Sequence, residues 1–277
     1  MRLYDGTDYS AWVNSSNITI LNTLPTISLT GPAHGNTTTN RTPEFTWSGA
    51  DDDSDTLSYE INLTAYYTGG GIRSACGVYK DNNTLGSATS YIPSPYLKCL
   101  SDNNYFFNWT VRAWDGEGYG SWATERNISI QSDITISLPT SSVSFGNMNV
   151  TDIDDTTDAS PAPLILRNDG NAELNVSVNF TNLWNSVANP SDYLKYKIRN
   201  ITNVCFILAN TQTNWAQAPL STSLAVHRLN FTSGYQTGCN NVSVDLSVEV
   251  PGDEISGNKN SNITFISSLG ELGYGAD

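Results

Sequence analysis

Charge is the scarcest commodity in this sequence. Only 14% of its 277 residues are Asp, Glu, Lys or Arg, against roughly 25% in an ordinary soluble domain. There are two histidines, two methionines and four cysteines. Each shortage excludes something. Thirteen basic residues against 27 acidic ones give a net charge of −14, which leaves no basic footprint for a nucleic-acid backbone. The acidity is diffuse, with 7 basic and 13 acidic residues in 1–131 and 6 and 14 in 132–277, so neither half is a charged tail. No run approaches 18 apolar residues, so no membrane-spanning helix is encoded. Met1 leads into Arg2-Leu3-Tyr4-Asp5-Gly6 rather than into the apolar stretch of a signal peptide. His34 and His227 stand in different halves, and G-x-S-x-G, H-E-x-x-H and P-loop patterns are all missing, so no enzyme chemistry is expected. Sequence spacing is silent only on a pair of glycosidase-type carboxylates, because any two acids can meet in space.

What takes the place of charge is Asn, Ser and Thr, at 31, 32 and 30 residues. These are poor helix formers, and long helices are not expected. The cysteines fall two per half, Cys76 and Cys99, then Cys205 and Cys239, with separations of 23 and 34 and no C-x-x-C. Two local disulfides are the expected state and place the chain outside the cytoplasm; four buried thiols are the alternative.

The chain repeats itself. Residues 2–20 (RLYDGTDYSAWVNSSNITI) match residues 112–130 (RAWDGEGYGSWATERNISI) at an offset of 110. Arg2, Asp5, Gly6, Tyr9, Trp12, Asn17, Ile18 and Ile20 return as Arg112, Asp115, Gly116, Tyr119, Trp122, Asn127, Ile128 and Ile130. Thr26-Ile27-Ser28-Leu29 then returns as Thr135-Ile136-Ser137-Leu138. One unit therefore closes near residue 21 and another near 131. Between them the pattern alternates with period two, as strands do: Tyr105, Phe107, Trp109, Val111 and Ala113 form one apolar face, and Leu57, Tyr59, Ile61 and Leu63 another. Phe45 and Trp47 give a short third strand, and the Asp115-Gly116 turn makes 104–130 a hairpin. In the second half, Leu164–Leu166, Val176–Phe180, Val242–Val248 and Ile263–Phe265 read as strands. Asn168–Asn171 reads as a tight turn, Asp152–Ser160 as an acidic loop, and 267–277 as a Gly-rich tail.

These segments resemble known modules. Residues 25–131 are similar to a fibronectin type III or related immunoglobulin-like domain. The resemblance is carried by Pro25–Leu29, Pro43-x-Phe45-x-Trp47, the Asp51–Asp55 loop with Leu57-x-Tyr59-x-Ile61, and Tyr105-x-Phe107-x-Trp109-x-Val111-x-Ala113. Residues 143–266 resemble immunoglobulin-like modules of archaeal cell-surface proteins, through Val143-Ser144-Phe145-Gly146-Asn147, Leu166–Asn171 and Gly257–Phe265. The resemblance implies an all-β chain of tandem antiparallel sandwiches: an orphan hairpin at 1–22, one sandwich at 23–131 and a second at 132–277. Such sandwiches host many roles.

The orphan hairpin suggests assembly. A lone hairpin is marginal in water, so Tyr4, Tyr9, Trp12, Ile18 and Ile20 are expected at a contact. Strand addition between identical subunits would build a head-to-tail filament; a cut from a longer protein also explains the fragment, and the two readings are not exclusive. The expected function is a non-enzymatic subunit of an extracellular cell-surface filament. The alternative is an adhesin or stalk that binds glycans or partner cells, with Trp114, Tyr119, Trp122, Tyr66 and Tyr67 as aromatic candidates.

Fifteen N-x-S/T sequons begin at Asn14, Asn17, Asn36, Asn40, Asn62, Asn82, Asn108, Asn127, Asn149, Asn175, Asn179, Asn200, Asn230, Asn241 and Asn262, roughly twice the number composition alone supplies. Eleven have an apolar central residue, so Asn and Ser/Thr face outward on strands. Asn is otherwise depleted in strands, and N-linked glycans on these faces account for its use. Asp51, Asp53 and Asp55 are a candidate Ca²⁺ site, without the Gly and distal Glu of an EF-hand; their ordinary reading is a solvated loop. Asp152, Asp154, Asp155 and Asp158 are a weaker candidate.

Overall fold

The structure is a computed structural model that describes residues 1–14, 21–72, 76, 79–80, 85–94, 96–201, 205–231 and 239–270. No α-helix forms among them. The first sandwich faces a sheet ordered β1-β3-β6 (Thr26–Gly31, Phe45–Ala50, Ser90–Tyr91) against a sheet ordered β2-β8-β7-β4-β5 (Asn36–Thr38, Arg126–Ile130, Tyr105–Trp114, Ser58–Tyr67, Tyr79–Lys80). β2 lies parallel to β8, and every other pairing is antiparallel. A first strand that pairs in one sheet and crosses to run parallel to the last strand of the other is an immunoglobulin-like plan.

Alternation drives it. β4 and β7 pair over ten residues, Ile61 opposite Val111, Leu63 opposite Trp109 and Ala65 opposite Phe107, and all six side chains are fully buried. The Phe45 ring meets Trp109 edge-on at 5.0 Å, tying the two sheets together. The Cys76–Cys99 disulfide, with Cα atoms 5.2 Å apart, lies in the same core.

The second sandwich has a different strand order. β14-β13-β16-β11-β9 (Ala216–Gln217, Leu194–Asn200, Asn241–Glu249, Leu164–Asn168, Ile136–Thr140) forms one sheet, and β15-β12-β17 (Ser223–Leu229, Leu174–Phe180, Ile263–Leu269) the other. Two sequence expectations are corrected. Within Asp152–Ser160, Ile153–Asp155 form β10 along β16; the strand is short because only Glu249, Val248 and Ser247 face it there. Ser267–Leu269, expected in a tail, pair with Leu174–Val176 and complete β17; residues 271–277 lie outside the described residues. The core is aliphatic, with Leu166, Leu174, Val176, Ala225, Val226, Val242 and Val244 fully buried, and Cys205–Cys239 closes one side.

A polar and aromatic seam joins the sandwiches. Arg41, 3% exposed, lies 5.0 Å from the rings of both Tyr96 and Phe231 and donates to the Lys98 carbonyl at 3.1 Å. Asn171 Nδ2 donates to the carbonyls of Thr39 and Gln131, and its Oδ1 accepts from Asp133 N–H.

Trp109→Ala is expected to lower the unfolding free energy of the first sandwich by about 3–5 kcal/mol. Its Nε1 is buried without a hydrogen-bond partner, so Trp109→Phe should cost clearly less. Removing the Cys205–Cys239 bond, which spans 34 residues, should cost about 3–4 kcal/mol. Denaturant titration of the three variants checks these values.

Candidate functional site

The residues singled out for assembly form a hairpin, and its geometry can be compared with its repeat bond for bond. In residues 1–14, Ser10 N–H donates to Leu3 O at 2.7 Å and Val13 N–H to Met1 O at 3.1 Å; in the repeat, Gly120 N–H donates to Ala113 O and Ala123 N–H to Val111 O, both at 2.9 Å. Tyr4 bridges Tyr9 as Trp114 bridges Tyr119, with ring centroids 4.6 and 4.7 Å apart. Asp5 Oδ1 accepts the N–H groups of Thr7 and Asp8, and Asp115 Oδ1 those of Glu117 and Gly118. Gly6 and Gly116 follow at φ +102° and +107°, a region that glycine occupies without a Cβ penalty. Arg2 lies over Tyr9 and Trp12 at 4.1 and 5.0 Å, and Arg112 over Tyr119 and Trp122 at 3.9 and 4.6 Å.

The two hairpins differ in what covers them. Arg112 is paired with Glu60 at 2.7 Å, a carboxylate with 2% exposure. Asp115 Oδ2 accepts from Asn22 Nδ2 at 2.9 Å. Val111 and Ala113 are fully buried. In the first hairpin every residue is exposed, with Leu3 at 68%, Trp12 at 69% and Val13 at 70%. Ile18 and Ile20 lie outside the described residues. The aromatics at 114, 119 and 122, candidates for ligand stacking, are engaged by each other and by Arg112; Tyr66 stacks on Phe106 across the sheet at 5.7 Å.

The sequons distribute unevenly. Asn14, Asn36, Asn40, Asn149 and Asn262 are exposed, and Asn62, Asn108, Asn127, Asn175, Asn179, Asn200 and Asn241 half-buried. Asn17 and Asn82 lie outside the described residues. Asn108 and Asn127 are a cross-strand pair, so two glycans there would compete for one space. Asn230 is the buried sequon among the described residues: it is 8% exposed, its Oδ1 accepts from Phe231 N–H, and Phe231 packs at the seam between the sandwiches, so a glycan is not expected there.

The carboxyl oxygens of Asp51, Asp53 and Asp55 come within 4.8 Å of one another. Asp51 Oδ1 accepts the N–H groups of Asp53 and Asp55, and Asp53 Oδ2 accepts from Thr23 N–H. Asp51 Oδ2 is buried without a hydrogen-bond partner, and three carboxylates are fewer than the six to eight oxygens Ca²⁺ takes. Around Asp152–Asp158 the carboxylates likewise turn inward: Asp152 accepts from Asn149, Asp155 from Thr157 and Asp158 from Ser160. A concavity of about 1320 Å³ lies at the edge of the second sandwich between 141–150 and 254–263; its Lys259 and Glu254 are paired with each other. Sequence reading missed this groove and the Arg41 seam, because neither is built on a local pattern.

No protein-family model matches the chain, and no curated protein matches it. Solved structures give three likenesses. An alpha-L-rhamnosidase from Dictyoglumus thermophilum is 7% identical over 90% of this chain and 28% of its own, with a TM-score of 0.28. The chicken CNTN1 FN1–FN3 domains are 12% identical over 90% and 65%, at 0.23. An alpha-L-rhamnosidase from Streptomyces avermitilis complexed with L-rhamnose is 10% identical over 88% and 24%, at 0.22. The chain thus spans about a quarter of each rhamnosidase and somewhat under two thirds of the CNTN1 fragment. Its fold is defined by its own strand order: tandem all-β sandwiches of the fibronectin type III and immunoglobulin-like class. Among the described residues, no helix is long and apolar enough to cross a membrane.

The Asn22 amide, followed by the Gly118 and Glu117 N–H groups, holds the Asp115 carboxyl below the ordinary carboxylate range. A carboxyl so depressed stabilises the fold above its ordinary pKa and loses that contribution as pH falls through the depressed value. Stability of the first sandwich should therefore decline below about pH 4. Asp115→Asn should lower the melting temperature at pH 7 by setting one amide donor against another, and Asn22→Asp combined with it should recover part of the loss; thermal melts from pH 2 to 7 check both.

Proposed function

We infer that the chain is a non-enzymatic structural protein of the cell exterior, in which β-sandwich modules joined in series form a filament or stalk at the surface. The observation that carries this reading is the N-terminal hairpin, which has the turn hydrogen bonds and ring contacts of a module's closing hairpin while its apolar side lies open. Two disulfides fit an oxidising compartment. Outward Asn and Ser/Thr supply the polar surface that charge does not, and glycans on the exposed sequons would shield strand edges from aggregation and proteolysis.

Serial modules are favoured over strand exchange between identical chains for a steric reason. The strand edge that a second copy would offer, β4 with Glu60, is already filled by that copy's own residues 105–114. An adhesive role is the second reading, favoured by the groove beside Trp184, whose Nε1 is buried without a hydrogen-bond partner.

Glycopeptide mapping of material from its native cells tests the placement. Glycan mass is expected on peptides carrying Asn36, Asn40 and Asn149 and not on Asn230; bare peptides throughout would remove the glycoprotein part of the proposal. Electron microscopy of the same material should show filaments or beaded stalks outside the cell envelope, and an intracellular location would defeat the proposal as a whole.

A further inference from the structure

The exposed hairpin specifies its missing partner. In the first sandwich, the contacts that hold the equivalent hairpin include, beside Asn22 on Asp115, the Glu60 carboxylate on Arg112 at 2.7 Å, Tyr59 opposite Ala113 in the sheet, and the Leu24–Pro25 segment lying on Gly118 and Gly120. The last contact is so close that a Cβ at Gly118 would come within 2.5 Å of Leu24 Cδ2, and one at Gly120 within 2.0 Å of the Pro25 carbonyl oxygen. The first hairpin keeps the arginine, as Arg2. It replaces Ala113 with Leu3, and the two glycines with Asp8 and Ser10.

The geometry points to a further sandwich of the 26–130 type, joined in series, as the hairpin's partner, with residues 1–14 closing it. This assignment rests on the serial-module reading and adds the identity of the hairpin's partner. A second copy of the chain does not serve, because its own hairpin occupies the equivalent strand edge. The substitutions say how the further module differs from the first. It presents an acid opposite Arg2, since the guanidinium lies over two rings and no acid pairs with it among the described residues. It has a side chain smaller than tyrosine opposite Leu3, since leucine in place of the fully buried Ala113 overfills that site. Its leading segment stands off Asp8 and Ser10, where a Leu24–Pro25 approach would collide.

A graft tests this. Residues 26–111 are placed directly before Arg2 of the full chain, with Tyr59→Val in the grafted copy to admit Leu3; the offset of 110 sets the junction. The expected result is slow hydrogen exchange at Ser10 and Val13 N–H, roughly 100-fold or more below the ungrafted chain, together with a blue-shifted Trp12 emission. Insertion of one residue at the junction turns the faces of the strand over and should abolish the protection. Arg2→Glu in the matched graft should reduce it, and Glu60→Arg in the grafted copy should restore it. Exchange in the matched graft as fast as in the parent overturns the assignment, whether the graft folds or not. Equal protection in the register-shifted chain overturns it, as does an ungrafted chain that dimerises with these amides protected.

Discussion

Arg112 is the point on which the closing hairpin of the first sandwich depends. One side of its guanidinium meets a carboxylate that is almost wholly out of water, Glu60, and the other meets the rings of Tyr119 and Trp122. Removing either partner would leave a buried or half-buried charge uncompensated, which costs several times what an exposed ion pair is worth. The hairpin itself supplies geometry: an Asp that gathers two N–H groups, a glycine at positive φ and a pair of tilted rings in contact. None of these buries enough apolar surface to hold two strands together in water. The sandwich supplies that cover, and the arginine fixes where the hairpin meets it.

The same division between local geometry and cover explains the architecture as a whole. Strands with one apolar face must meet a second sheet, and each half of the chain solves this with its own core and its own disulfide. The halves are then joined by polar groups, the half-buried Asn171 with its three backbone partners and the buried Arg41 between two rings. A seam of this kind fixes orientation more than it adds stability, which suits modules that must be held in line.

Much of the first sandwich is legible because apolar and polar residues alternate from Ser58 to Ala65 in β4 and from Phe107 to Ala113 in β7, and the repeat announces the hairpin. The second half was less legible. Leu194, Tyr196 and Ile198 alternate with Lys195, Lys197 and Arg199, yet with so few neighbouring apolar runs the strand escaped notice. β10 and the end of β17 were read as a loop and a tail because they owe their extended form to the partners β16 and β12, not to their own residues. Asn230 shows the limit of motif reading: a sequon records residue types, whereas burial at the seam depends on Arg41, distant in sequence. The Asp51–Asp55 cluster is similar, since Asp51 Oδ1 gathers the N–H groups of Asp53 and Asp55 in a way that sequence does not display.

The account holds that cover, and not internal bonding, stabilises these hairpins. Hydrogen exchange on the unmodified chain measures this directly, because Ser10 and Val13 donate in the same pattern as Gly120 and Ala123. The account predicts near-free exchange at Ser10 and Val13 and protection approaching that of global unfolding at Gly120 and Ala123. Comparable protection at the two pairs would contradict it.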